Sequence, residues 1–536
     1  MAAVWVEVAG RGEVTVDVEH DDGRRTTHIC DTFTVHGHHY ALVDVEGLTP
    51  GGSYPYTMAF RGERIWPEPD SPYPASRIRT LAPERGLRLV FGSCRTSVPH
   101  DAETNRTHGP DVLRAYGLHL HGVDEAEWPS LVLLLGDQVY ADETSEAMQE
   151  FIAARRDIDV PPGKELKDYE EYAHLYTLAW TDPANRWLLS TLSTAMMFDD
   201  HDIRDDWNTS AAWRDEMRRT SWWQERIVGG LASYWVYQHI GNLSRAEREV
   251  DAVWSRVLEE GRDGDAGTLV DDVAARVDRD PEAYRWSFHR SLGGTRLVML
   301  DTRCARVLDE GRRRMLDNAE TAWLEELLTG DVDHLLIGTS LPFLLPVGLH
   351  HLEAWDEAVA SGAWGSRSAR VGERIRQGVD LEHWAAFQTS FHDLARSVMA
   401  VARGERGRPP AVVAFLSGDV HHSYLAEADL GRLVPGRARL LQAVCSPIRN
   451  PLPRAIRFAS ATSARGLAWP LGRLLARSAK VADPPFRWSI TDGPWFDNAL
   501  ATLDLTGRHA RLRWETAEVD GSEDPVVVPV HSVTLT

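Results

Sequence analysis

The apolar positions of the chain keep two different patterns, and the change falls between residues 82 and 87. In the first stretch they alternate. Val4, Val6 and Val8 alternate with Trp5, Glu7 and Ala9, and Val14, Val16 and Val18 alternate with Thr15, Asp17 and Glu19. A period of two places one set of side chains on each face of a strand. Asp21-Asp22-Gly23 supplies a turn between strands. Residues 1–82 are therefore predicted to form a small β-sandwich domain. From residue 87 the apolar runs are short and nearly continuous, at 87–91, 131–135, 195–198, 297–300, 335–337, 412–416 and 440–444. Strands without a polar face are buried on both sides, as in a sheet covered by helices. Helical insertions are expected at about 144–190 and 211–285. Alternating strands return at 486–536, joined at Thr506-Gly507, and are expected to complete the second sheet of the core. The pattern predicts an α/β domain over 87–536.

These runs end in residues of useful chemistry. Ser93-Cys94-Arg95 closes the first, and Gly136-Asp137-Gln-Val-Tyr140 closes the second. Asp199-Asp200-His201-Asp202 closes the third, Asp301-Thr-Arg303 the fourth, and Gly418-Asp419-Val-His421-His422 the sixth. Ligands of α/β domains gather at the carboxyl ends of strands. Thiolate, carboxylate, phenolate and imidazole groups converging there suit a transition metal, and a carboxylate can bridge two cations. Singly, each piece has a structural explanation. Cys94 reads as a buried thiol, Asp137 as a turn or cap residue, and the acidic loop as solvated surface. Their serial occurrence, each after an apolar run, argues for a metal site.

Composition narrows the partners. The 536 residues are 43% hydrophobic and 26% charged, which is globular composition with ample material for a large core. A net charge of −22 argues against nucleic acid as a partner. Four cysteines make no disulfide framework. The start, Met-Ala-Ala-Val-Trp-Val-Glu, has no basic region and no long apolar core, so no signal peptide is read and a cytoplasmic location is expected. The longest uncharged apolar stretch, 335–352, contains Pro342, Pro346 and Gly348. It reads as a strand running into a loop, not a membrane span.

In order and type these motifs resemble the calcineurin-like metallophosphoesterases, and most of all their alkaline phosphatase D (PhoD-like) branch. In that branch the first motif is Ser-Cys, the third Asp-Asp-His-Glu and the last Gly-Asp-Val-His. The resemblance runs over roughly 88–450. It implies a four-layer α/β/β/α core, and an N-terminal β domain also fits. The 48–56 stretch, Leu-Thr-Pro-Gly-Gly-Ser-Tyr-Pro-Tyr, resembles the tyrosine corner of fibronectin type III sandwiches. Carried over by position, Cys94, Asp137, Tyr140 and His421 would hold Fe3+. Asp137, Asp200 and Asp419 would hold a second cation, Ca2+, and all-carboxylate ligation suits such a hard ion. The resemblance implies metal-dependent hydrolysis of phosphate mono- or diesters, phospholipids included, by a metal-bridging hydroxide with His201 as general acid. Asp202 stands where the branch has Glu, and Asp202 or Asp199 is expected to orient His201. Arg95 and Arg303 are candidates for binding the substrate phosphate, with structural ion pairs as the equal alternative. The fifth strand ends in Thr339-Ser340, hydroxyls where relatives place a ligand. His350 or His351 is a substitute ligand, though an adjacent pair in a loop reads as surface.

Residues 430–482 contain no Asp or Glu and carry ten basic residues. Gly466 and Pro470 are expected to break the segment into two short helices. Three readings stay open: a helical pair docked by ion pairs, a mouth attracting anionic substrate, and peripheral lipid contact through 452–480. The competing function is a non-catalytic metal-binding scaffold with a β-sandwich interaction module. A small-molecule phosphate ester is the expected partner.

Overall fold

The computed structural model describes residues 1–82, 84–309, 311–431, 437–452, 469–519 and 524–536. The alternating stretch builds two small sheets. Ala2–Val8 pairs antiparallel with His38–Val45, which also pairs with Phe33–Val35. The second sheet orders Arg25–Asp31, Glu13–Glu19, Ser53–Phe60 and Glu63–Trp66, with Arg77–Arg79 also on Ser53–Phe60. Val14, Val16 and Val18 of one sheet share a core with Ala41, Val43 and Val45 of the other. The Tyr54 hydroxyl accepts the Thr49 backbone N–H at 2.8 Å, tying the corner to upstream backbone as the motif suggested.

Two larger sheets follow. One orders Thr194–Met197, Leu131–Leu135, Leu87–Gly92, Leu500–Thr506, His509–Glu518 and Val526–Thr534. The other orders Phe288–Leu292, Thr295–Leu300, His334–Thr339, Val412–Ser417, Arg439–Val444, Ser423–Asp429 and Arg487–Trp495. Their nearly continuous apolar strands divide by period two. Leu131, Leu133 and Leu135 turn into the core that holds Leu297, Met299 and Leu336 from the other sheet. Val132 and Leu134 turn the opposite way, onto Leu113 and Trp187 of covering helices. In the second sheet Val298, Ile337 and Phe415 face outward onto Leu394 and Val398. The result is helix, sheet, sheet, helix: a four-layer α/β/β/α core beside a small β-sandwich.

The carboxy-terminal strands do not all join one sheet, contrary to expectation. Arg487–Trp495 adds to the seven-stranded sheet, whereas Leu500–Thr506 pairs with Leu87–Gly92 of the other. The two positions bury their apolar residues in different cores. Leu503, Leu505 and Leu512 extend the intersheet core, while Trp488 and Phe486 belong to the outer one. The hairpin at Thr506-Gly507 forms as read. Of the basic window, 432–436 and 453–468 lie outside the described residues. A helix, Trp469–Ser478, follows, with Pro470 in its first turn, where a missing N–H costs nothing. Residues 347–360 form a helix instead of a loop. Among the described residues no helix is long and apolar enough to cross a membrane.

Candidate metal centre

Parallel strands of both sheets deliver their carboxyl ends to one place. Leu87–Gly92, Leu131–Leu135 and Thr194–Met197 run parallel in one sheet, and Thr295–Leu300, His334–Thr339 and Val412–Ser417 in the other. Where each strand stops the backbone turns sharply. Cys94, Asp137, Asp419 and His421 all have positive φ, between 50° and 65°. Non-glycine residues in this region carry strain and gather at functional sites. The preceding glycines allow close approach. A Cβ on Gly136 would stand 2.6 Å from the Asp199 Cβ, and one on Gly418 would collide with the Ser93 hydroxyl. The Gly-Asp pairs are therefore packing requirements as well as chemical signatures.

Two groups of donors result. Cys94, Asp137, Tyr140 and His421 form the first. Cys94 Sγ lies 3.3 Å from Asp137 Oδ2, and Tyr140 Oη lies 3.4 Å from His421 Nε2. Such separations are those of neighbouring ligands on one ion with bonds of ~2.0–2.3 Å. Burial and the Asp137 carboxylate push the Cys94 thiol and the Tyr140 phenol well above their ordinary values. Without a cation both keep their protons. Burial lowers His421 to about 4, leaving a neutral imidazole with one lone-pair nitrogen. The second group is Asp137, Asp199, Asp200 and Asp419, whose oxygens lie within 4.8 Å of one another. Burial, then the neighbouring carboxylates, raises Asp137 well above the carboxylate range. Asp137 Oδ1 and Asp199 Oδ2 are buried without a hydrogen-bond partner. Orphaned oxygens in an all-carboxylate cluster fit a hard cation. The residues present therefore fit the groups expected from the sequence.

His201 stands at the edge, its side chain 16% exposed. Its Nδ1 lies 2.9 Å from Asp142 Oδ1, and its Nε2 lies 3.7 Å from Asp205. Burial opposes the imidazolium, but Asp142 and Asp200 overcome it and hold His201 well above the ordinary histidine value. Asp142 itself is held down, to about 2, by that pairing against the opposing effect of burial. His383 Nε2 lies 3.0 Å from Asp419 Oδ2 and its Nδ1 2.8 Å from Glu353.

Several sequence expectations need correction. Asp202 does not orient His201. Its carboxylate accepts the backbone N–H groups of Asp137 at 2.9 Å and Asp199 at 2.8 Å, so it fixes two strand-end loops relative to each other. Burial raises it to about 7. Arg95 is not free for substrate. Its guanidinium is 2.8 Å from Asp111 and donates to the Ala179 carbonyl. Arg303 lies within the centre but is fully buried and committed to Asp199, Asp200 and Glu382. A cation so enclosed by three carboxylates is structural. Ser340 Oγ pairs with Thr302 at 2.7 Å, so that strand end serves as scaffold. His350 and His351 are neither surface nor ligands. Both are buried on the helix Val347–Ala360, with His350 packed 4.6 Å from the Phe391 ring.

Four participants were missed: Asp142, His383, Glu353 and the place of Asp199 in the cluster. Asp142 is two residues past Tyr140, within reach of the same motif. His383 follows no apolar strand, so strand ends carried no signal for it.

A family model described as PhoD-like phosphatase matches residues 120–450. A second, described as a domain of unknown function (DUF7800), matches residues 1–78. Among solved structures, one titled "Structure of PhoD" is 13% identical, covers 99% of this chain and 86% of its own, and superposes with a TM-score of 0.60. No curated protein matches the sequence.

Proposed function

The chain belongs to the PhoD-like phosphatase family and is a phosphoric ester hydrolase, and we propose that it cleaves phosphate esters at the Cys94–Asp137–Asp419 centre with His201 as the proton donor. The observation that carries this reading is the buried cluster of Asp137, Asp199, Asp200 and Asp419, with unsatisfied oxygens, directly beside a buried thiol, phenol and imidazole. The mixed set Cys94, Asp137, Tyr140 and His421 suits Fe3+, and the four carboxylates suit Ca2+ or another hard divalent ion. Bound cations would neutralise phosphate charge and lower the pKa of water.

The chain's own residues supply the remainder. Asp137 belongs to both donor groups and would serve either cation. Asp202 and Arg303 hold the loops that carry Asp137, Asp199 and Asp200 in register. Asp142 accepts the Nδ1–H of His201, which leaves Nε2 as the proton-bearing atom toward the open side. Protonated imidazole there donates to the leaving alkoxide as the P–O bond breaks. The enclosed donors and the partly exposed His201 edge divide the roles: the interior would bind ions, and the rim exchange protons. This division disfavours a passive metal scaffold, which has no use for a clamped proton donor. Purified protein is expected to contain iron together with a divalent ion, and to hydrolyse a chromogenic monoester or its diester with loss of rate under chelation. Metal-free protein with undiminished hydrolysis overturns the reading.

A further inference from the structure

Three helices, Val347–Ala360, Ser366–Gly378 and Trp469–Ser478, share one part of the outer layer. Helix 469–478 lies tightly on helix 347–360, since a Cβ on Gly472 would stand 2.7 Å from the Gly348 carbonyl oxygen. Helix 366–378 crosses near Ala360, whose N would be 2.9 Å from a Cβ on Gly372. Trp364 joins the two outer helices. Its indole N–H donates to the Ser478 carbonyl at 3.2 Å, and its ring lies 5.6 Å from Trp355.

The outward face is unusual for this chain. Among the described residues, five of the eleven exposed large apolar side chains lie here: Trp364, Val371, Val379, Leu471 and Leu474. Arg367, Arg370 and Arg374 are exposed and follow helical spacing, so they share one face with Val371. Arg376, on the inward face, is paired with Asp356 and Glu373. Among the described residues Arg367, Arg370 and Arg374 form no ion pair. Other arginines are committed, as Arg439 is to Glu427 and Arg406 to Glu325. In a chain with a net charge of −22, these three arginines share a helix face with exposed Val371 and follow closely on exposed Trp364, and Leu471 and Leu474 are exposed on the other helix packed against 347–360.

We propose that this helical face docks on an anionic lipid surface. The arginines of helix 366–378 would meet headgroup phosphates, and Trp364, Leu471 and Leu474 the headgroup–acyl boundary. The chemistry favours lipid over two other partners. A second copy meeting this patch across a two-fold axis would set arginine against arginine. A nucleic acid would satisfy the arginines but leave Leu471 and Leu474 without an apolar partner.

The test is co-sedimentation of the full chain with vesicles of phosphatidylcholine alone and with added phosphatidylglycerol. Binding is expected to be at least ~10-fold tighter to the anionic vesicles and to fall with added salt. The combined variant Arg367→Gln, Arg370→Gln, Arg374→Gln is expected to bind on the order of 100-fold more weakly. Leu471→Ser with Leu474→Ser is expected to weaken binding as well. An unchanged thermal midpoint in both variants shows that the fold is intact. Equal partition onto both vesicle types, or undiminished binding by the arginine variant, overturns the proposal. So does light scattering that shows a dimer dispersed by the leucine variant, or tighter retention on a duplex oligonucleotide than on anionic vesicles.

Discussion

Single residues at the rim and in the interior of the centre call for different outcomes. His201 is a proton donor only if the leaving group needs a proton. His201→Ala is expected to lower turnover by roughly 10²–10⁴ for an alkyl phosphate and far less for a nitrophenyl ester, measured as the ratio of the two rates. Asp142→Asn keeps the shape but removes the charge that holds Nδ1–H. It is expected to reduce kcat on the order of 10–100-fold with metal content unchanged. Arg303 separates a structural role from a substrate role. Its side chain is fully buried against Asp199, Asp200 and Glu382. Arg303→Met leaves buried carboxylates unpaired and is expected to cost about 3–5 kcal/mol of stability, read as a lowered Tm. A raised KM at unchanged Tm would restore the phosphate-binding role. What was legible in the sequence at this scale follows from chain proximity. Cys94, Asp137, Tyr140, Asp200, Asp419 and His421 each sit within a few residues of a strand end, so the strand announces them. His383 and Glu353 reach the centre from helical segments whose approach only tertiary packing decides. Arg95 and Arg303 carry the same strand-end signal, yet their chemistry is spent on Asp111 and on Asp199, because a buried guanidinium must find a carboxylate first.

At the scale of elements, the sandwich meets the catalytic part through a titratable clamp. His38, on the strand His38–Val45, lies 2.8 Å from Glu7 of its own sheet and 2.9 Å from Glu170 at the start of helix Tyr169–Trp180. Hydrogen bonding to Glu7, and then to Glu170 against the opposing effect of burial, raises His38 from 6.5 to about 9. A histidine whose folded pKa is raised stabilises fully below its unfolded value and loses that stabilisation as pH rises through the folded one. The clamp is therefore expected to weaken between about pH 6.5 and 9. His38→Gln should flatten that part of the Tm-against-pH curve, and unchanged curvature would remove His38 as its source. The same interface carries Tyr40, 3.0 Å from Tyr169 and 3.1 Å from Tyr237. Strands of period two were readable from alternation, and the short apolar runs from their length of three to five residues, too short for a buried helix. The assignment of the last strands to two different sheets was not. Alternation shows that a strand has two faces, not which sheet edge lies free to receive it.

Over the whole molecule the net charge of −22 takes on a location. Part of the acid surplus is concentrated where two sheets deliver Asp137, Asp199, Asp200 and Asp419 to one point. Four carboxylates in such proximity oppose folding unless protons or cations offset them. Burial and mutual repulsion already raise Asp200 to about 6. Cations that bind the folded chain and not the unfolded one stabilise it by mass action, by about 2.7 kcal/mol at a hundredfold excess over Kd. In a chain of 536 residues that corresponds to roughly 2–3 °C in Tm. Exhaustive chelation is therefore expected to lower Tm and abolish hydrolysis together, and added divalent ion with iron is expected to restore both. Restoration by the divalent ion alone of Tm but not of rate would assign the carboxylate cluster to stability and the Cys94–Tyr140–His421 group to the chemistry. A Tm indifferent to chelation would mean that Arg303 and the protons held by buried acids already balance the cluster, and that no cation resides there.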